Sequence, residues 1–155
     1  MRRLLPAIVT LGLLLGFAAP AMATSRVPKG ITKVSLTLTI PASASSARGT
    51  QRKTITKAAS VAAIVSATNA LQAPSTKHMI CPMIMRLGPD LTVIFRNAKG
   101  VEVAEATAQV TLGSKGSDGT SPCFPIRLVM GGKSTPLLGN SWIRMMGRMI
   151  GTAIS

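Results

Sequence analysis

Hydrophobic and polar residues alternate strictly over Lys33–Ile40, with Val34, Leu36, Leu38 and Ile40 on one side and Lys33, Ser35, Thr37 and Thr39 on the other. A period of two marks a strand buried on one face, so residues 31–40 are predicted as β-strand, ended by Pro41. Residues 42–51, rich in Ser, Ala and Gly, read as a loop. The period then changes. Val61, Ile64, Val65, Thr68 and Leu71 recur at helical spacing behind Thr56, which is placed as the N-cap, and Pro74 follows as a stop. The reverse face of this helix carries Ser60, Ala63, Ala67 and Ala70, all small, so the helix can pack closely against a sheet.

Further along, Leu91–Arg96 reads as a strand, Asn97-Ala98-Lys99-Gly100 as a turn, and Val101–Leu112 as the antiparallel return of a hairpin. Residues 113–122 form a polar, glycine-containing loop. Phe124–Met130 is another strand, Gly131-Gly132-Lys133 another turn, and Ser141 is placed as the cap of a final helix, Trp142–Ile150. The predicted order is β-α-β-β-β-α without internal repeats. Hairpins mixed with two helices imply an α+β fold, a mostly antiparallel sheet of about four strands covered by two helices.

The first residues do not belong to that pattern. Arg2 and Arg3 precede an apolar run from Leu4 to Phe17, and Pro20 then Ala21-Met22-Ala23 supply a small-residue cleavage site. That order is the pattern of a cleavable signal peptide over residues 1–23, and the run is shorter than the roughly 20 residues that span a bilayer. The expected product is secreted, extracellular or periplasmic, with no transmembrane helix. It comprises a flexible lead-in at residues 24–30 and one domain over residues 31–155, a length suited to a single core.

Two cysteines in an exported chain allow one internal pairing, Cys81 with Cys123, the alternatives being an intermolecular bridge or free thiols. Charge adds a second constraint. The chain has 18 Lys and Arg against four Asp and Glu, a net +14. Such a field attracts anions such as envelope polymers, acidic lipids or an acidic protein, or serves only to keep the surface soluble.

The same inventory argues against catalysis. There is one histidine, His78, and the carboxylates are Asp90, Glu102, Glu105 and Asp118. Glu102 and Glu105 stand an odd number of residues apart on a predicted strand, which places them on opposite faces and separates them as an acid/base pair. Gly132-Lys133-Ser134 resembles the end of a phosphate loop, but Arg127 stands where that loop needs glycine. No enzyme activity and no cofactor are expected. Specific nucleic-acid recognition is not expected either, because Phe95, Phe124 and Trp142 are the only aromatics beyond the leader, and the two phenylalanines fall on core strands.

Two segments carry other chemistry. His78-Met79-Ile80-Cys81-Pro82-Met83-Ile84-Met85 combines donors suited to a soft metal such as Cu(I), although the disulfide consumes Cys81 and methionine also fills core gaps. Met79, Met83 and Met85 alternate as one face of an extended segment would. The last helix pairs Met145, Met146, Met149 and Ile150 with Arg144 and Arg148, which are candidate anion-binding residues. That helix can lie on a membrane, but packing on its own sheet, with Trp142 inward, is the expected arrangement.

Two resemblances accompany this reading. A helix ending in Asn69-Ala70-Leu71, then Cys81-Pro82, Leu91-Thr92-Val93-Ile94-Phe95, Cys123 and a terminal Trp142 helix resembles a recurring type of exported bacterial domain. That resemblance implies the disulfide and the compartment, and no activity. Cys81-Pro82-Met83 also resembles the reactive loop of the subtilisin-inhibitor-like family, which implies Met83 as the residue presented to a protease, with Ile84 following. The family's second disulfide is absent, the stretch to Cys123 is longer, and the final helix is unlike it. The expected function is therefore a secreted, non-catalytic binding domain whose basic surface meets anionic envelope polymers or a protein. The alternatives are a protease inhibitor presenting Pro82, Met83 and Ile84, and a copper-binding protein.

Overall fold

The computed structural model describes residues 26–42, 49–75, 81, 88–112 and 121–154. They form β1 (Ile31–Ile40), β2 (Gly49–Ile55), α1 (Ala58–Asn69), β3 (Asp90–Asn97), β4 (Glu102–Gln109), β5 (Ile126–Met130), β6 (Lys133–Leu137) and α2 (Asn140–Ile150). One sheet runs β2-β1-β3-β4-β5-β6, every neighbouring pair antiparallel. The α+β class is as the pattern predicts, but there are six strands rather than about four.

The two additional strands are the sheet's edges. β2, Gly-Thr-Gln-Arg-Lys-Thr-Ile, buries only Ile55, so no apolar alternation marks it. β6 carries Pro136 and buries only Leu137. Edge strands tolerate proline and polar residues on both sides, and a hydrophobic pattern read alone passes over them.

The core lies on one face of the sheet. Val34, Leu36 and Leu38 of β1, Leu91, Val93 and Phe95 of β3, and Ile126 and Leu128 of β5 are fully buried there. β4 presents Ala104, Ala106 and Ala108 to the same side, opposite Phe95, Val93 and Leu91 in register. Large side chains thus face small ones across one strand pair, which lets the layer fill at interior density. The helices cover this face, α1 on β1 and α2 on β1 and β2. Buried Trp142, Ile143 and Met146 turn α2 inward, in agreement with the packing arrangement expected for it.

Both predicted helix caps are corrected. Lys57, not Thr56, is the N-cap of α1, and Gly139 is that of α2, leaving Ser141 inside the helix. α1 ends at Asn69, and Leu71 is buried just beyond it. The two turns match expectation. The Asn97 side chain accepts from the amides of Lys99 and Val101 at 3.0 and 3.1 Å, and Gly131 and Gly132 both take positive φ between β5 and β6. Two consecutive left-handed residues are what a two-residue type I′ hairpin loop requires.

The N-terminal approach is tied to α1. Val27 is fully buried, and the Asn69 side chain accepts from its amide at 2.6 Å and donates to its carbonyl at 3.1 Å. Arg26 donates to the Leu71 carbonyl at 2.6 Å. The C-terminus closes tightly on α2. The amides of Gly151 and Thr152 both bond the Gly147 carbonyl at 2.9 Å, and Ile154 returns to pair with Leu112. A methyl at Gly147 would stand 2.6 Å from the Thr152 carbonyl oxygen. Gly147→Ala is therefore expected to destabilise the domain by about 1–2 kcal/mol despite alanine's better helix propensity, because backbone must move to admit the methyl. Denaturant unfolding of the variant measures this.

Candidate binding surfaces

No helix among the described residues covers the second face of the sheet, and its residues follow from the register. One row runs Arg52, Thr37, Thr92, Thr107, Arg127 across β2, β1, β3, β4 and β5. The next row contains Thr50, Thr39, Asp90 and Gln109. The row on the other side of the first, Ser35, Ile94, Glu105 and Val129, is mixed, so the face is mostly polar with two half-buried apolar residues.

A β-bulge corrects one expectation here. Phe95 pairs with Ala104 but Arg96 pairs with Glu102, so Val103 is an extra residue in β4. Glu102, opposite Arg96, and Glu105, opposite Ile94, consequently share the open face instead of lying on opposite ones. Glu102 faces Arg96 at 3.7 Å, and Arg96 also donates to Ser35 at 3.0 Å. An ion pair this exposed contributes little to stability.

The disulfide lies at one end of this face. Cys81 and Cys123 are bonded, with Cα atoms 5.4 Å apart. Phe124 is a further correction: β5 begins at Ile126, and Phe124 is half-buried outside the core, its amide held by Ser121 at 2.9 Å. Together with Asp90, Thr92, Thr107, Gln109 and Arg127 it lines a concavity of about 540 Å³. Sequence reasoning missed this group, because its members come from three strands and one turn and only the pairing register joins them.

Charge is distributed unequally between the two sides. Every described carboxylate, Asp90, Glu102 and Glu105, stands on the open face, where Lys33, Arg52, Arg96 and Arg127 nearly balance them. On the helix side and along its edges stand Arg26, Lys29, Lys53, Lys57, Lys133, Arg144 and Arg148, with no carboxylate among the described residues. Arg144 and Arg148 are both exposed, four residues apart on α2 and hence on one face. Arg148 borders a groove of about 630 Å³ between α1 and α2, floored by Leu71 and Trp142.

The segment that contains His78, Met79, Pro82, Met83, Ile84 and Met85 lies outside the described residues, apart from Cys81 itself. Among the described residues no group of His, Cys, Asp or Glu is placed to hold a metal ion, and no helix is long and apolar enough to cross a membrane. No protein-family model, no curated protein and no solved structure matches this chain.

Proposed function

We propose that this is an exported, non-catalytic binding domain that uses its helix side to engage anionic polymers of the cell envelope. The observation that carries the reading is the one-sided charge: seven cations surround the helix layer with no carboxylate among the described residues, while the acids gather on the opposite face. Cations without neighbouring acids keep their field directed outward, so a polyanion meets attraction over the whole side and is not confined to a pocket. The disulfide fits an oxidising compartment.

Contacts of this kind are screened by salt, since the Debye length falls from about 10 Å at 0.1 M to about 3 Å at 1 M. The protein is expected to bind long-chain polyphosphate at low ionic strength and to lose more than about tenfold in affinity over that salt range. Replacing both α2 cations, Arg144→Gln with Arg148→Gln, should weaken binding several-fold and leave the melting temperature unchanged, because both side chains are exposed. Calorimetric titration of folded protein is the assay. Failure to bind polyphosphate in low salt, or binding indifferent to salt, would remove this reading.

A further inference from the structure

We infer that the concavity on the open sheet face is a binding site for a neutral, hydroxyl-rich ligand, a short oligosaccharide. It lies on the opposite side of the sheet from the cationic helix layer and is independent of it. The first argument is composition. Within about 540 Å³ the site gathers one carboxylate, Asp90, one guanidinium, Arg127, one amide, Gln109, and the hydroxyls of Thr92 and Thr107. These are the groups that donate to and accept from sugar hydroxyls, and the volume is that of a small-molecule site, about 300–1,000 Å³.

The second argument is that these groups are uncommitted. None of the five side chains makes a hydrogen bond or ion pair with another described residue. Thr92, Thr107 and Gln109 are nevertheless half-buried, and the rigid ladder of β3, β4 and β5 fixes their spacing. Polar groups already partly withdrawn from water and held by a sheet lose little further freedom on binding.

The third argument is charge and shape. Asp90 and Arg127 stand two strands and two residues apart, which strand geometry places at about 12 Å between Cα atoms. They mark the two ends of the site instead of neutralising one another, with the hydroxyls and the amide between them. A polyanion would meet Asp90, and a cation would meet Arg127. An uncharged ligand long enough to reach both satisfies the carboxylate as donor and the guanidinium as acceptor. Phe124 and Pro125 line the same concavity and supply apolar surface for the C–H face of a sugar ring.

The test titrates the intact, oxidised protein separately with cellotetraose, maltotetraose, chitotetraose and mannotetraose, by calorimetry and by amide chemical shifts. At least one tetrasaccharide is expected to bind and to shift the amides of Thr92, Thr107 and Gln109. Gln109→Ala and Asp90→Asn should each weaken binding about tenfold without lowering the melting temperature, and raising salt to 1 M should leave the affinity within about twofold. The Arg144→Gln, Arg148→Gln variant should bind the sugar normally, which separates this site from the polyanion surface. No binding by any of the four at millimolar concentration would overturn the inference. So would binding unaffected by both site variants, or a preference for tetragalacturonate that collapses with salt.

Discussion

Reducing the Cys81–Cys123 bridge is expected to lower the melting temperature by about 10–20 °C. The bond closes a loop with a sequence separation of 42. In the chain-entropy model, opening a loop of that length returns on the order of 4 kcal/mol of freedom to the unfolded state. A net stability of about 5–15 kcal/mol is usual for a domain, so this is a large share of it. Each kcal/mol moves the midpoint of a domain this size by about 3–5 °C. The location adds to the effect: Cys123 stands three residues before β5, and Cys81 lies on the chain that leads through Gly88 and Pro89 into β3. Melting the oxidised protein, the reduced protein and a Cys81→Ser, Cys123→Ser variant in parallel measures the contribution. A shift below about 3 °C would show that the unfolded chain is already compact between the two cysteines.

What the sequence made legible, and what it did not, follows burial. β1, β3 and α1 announce themselves because each has one buried side, and the pattern of Val34, Leu36 and Leu38 or of Val61 and Ile64 records that geometry. β2 and β6 are held by pairing to a single neighbour and bury one residue apiece, so backbone hydrogen bonds position them where side chains give no signal. The caps failed for a related reason: Thr56 and Ser141 are suitable residues one position from Lys57 and two from Gly139 respectively, and neither observed cap uses a side-chain hydrogen bond. The bulge at Val103 reversed the expected separation of Glu102 and Glu105, since parity along a strand holds only while the ladder is unbroken. Arg144 and Arg148 were assigned to the last helix from the sequence, and the structure has both on α2 and exposed. The open-face concavity was not legible, because Asp90, Gln109, Phe124 and Arg127 are related only through the register of three strands and the turn before β5.

Trp142→Ala is expected to cost about 3–5 kcal/mol, the range for removing a large aromatic from a core that cannot collapse around the gap. Trp142 is 1% exposed, on the inward face of α2, and joins the two helices by a buried hydrogen bond. Its indole Nε1–H donates to Thr68 Oγ1 at 2.8 Å, and the Thr68 hydroxyl donates in turn to the Ile64 carbonyl at 2.8 Å. Thr68 is the buried polar residue of the described core, and this chain satisfies both of its roles. Thr68→Val keeps the shape but leaves the indole N–H without an acceptor in a dry site, an expected loss of about 1–3 kcal/mol. Trp142→Phe removes that donor, so Thr68→Val should cost about 1 kcal/mol less in the phenylalanine background than in the parent. Urea unfolding of the four proteins closes the cycle, followed by far-ultraviolet circular dichroism because the phenylalanine variants lack the chain's single tryptophan. In the parent and the Thr68→Val protein, tryptophan fluorescence reports the same site directly, and an emission maximum shifted to the red in folded Thr68→Val would mean water has entered to take the indole proton. Additive effects in the cycle would mean that the bond between α1 and α2 contributes nothing beyond the packing of its two side chains.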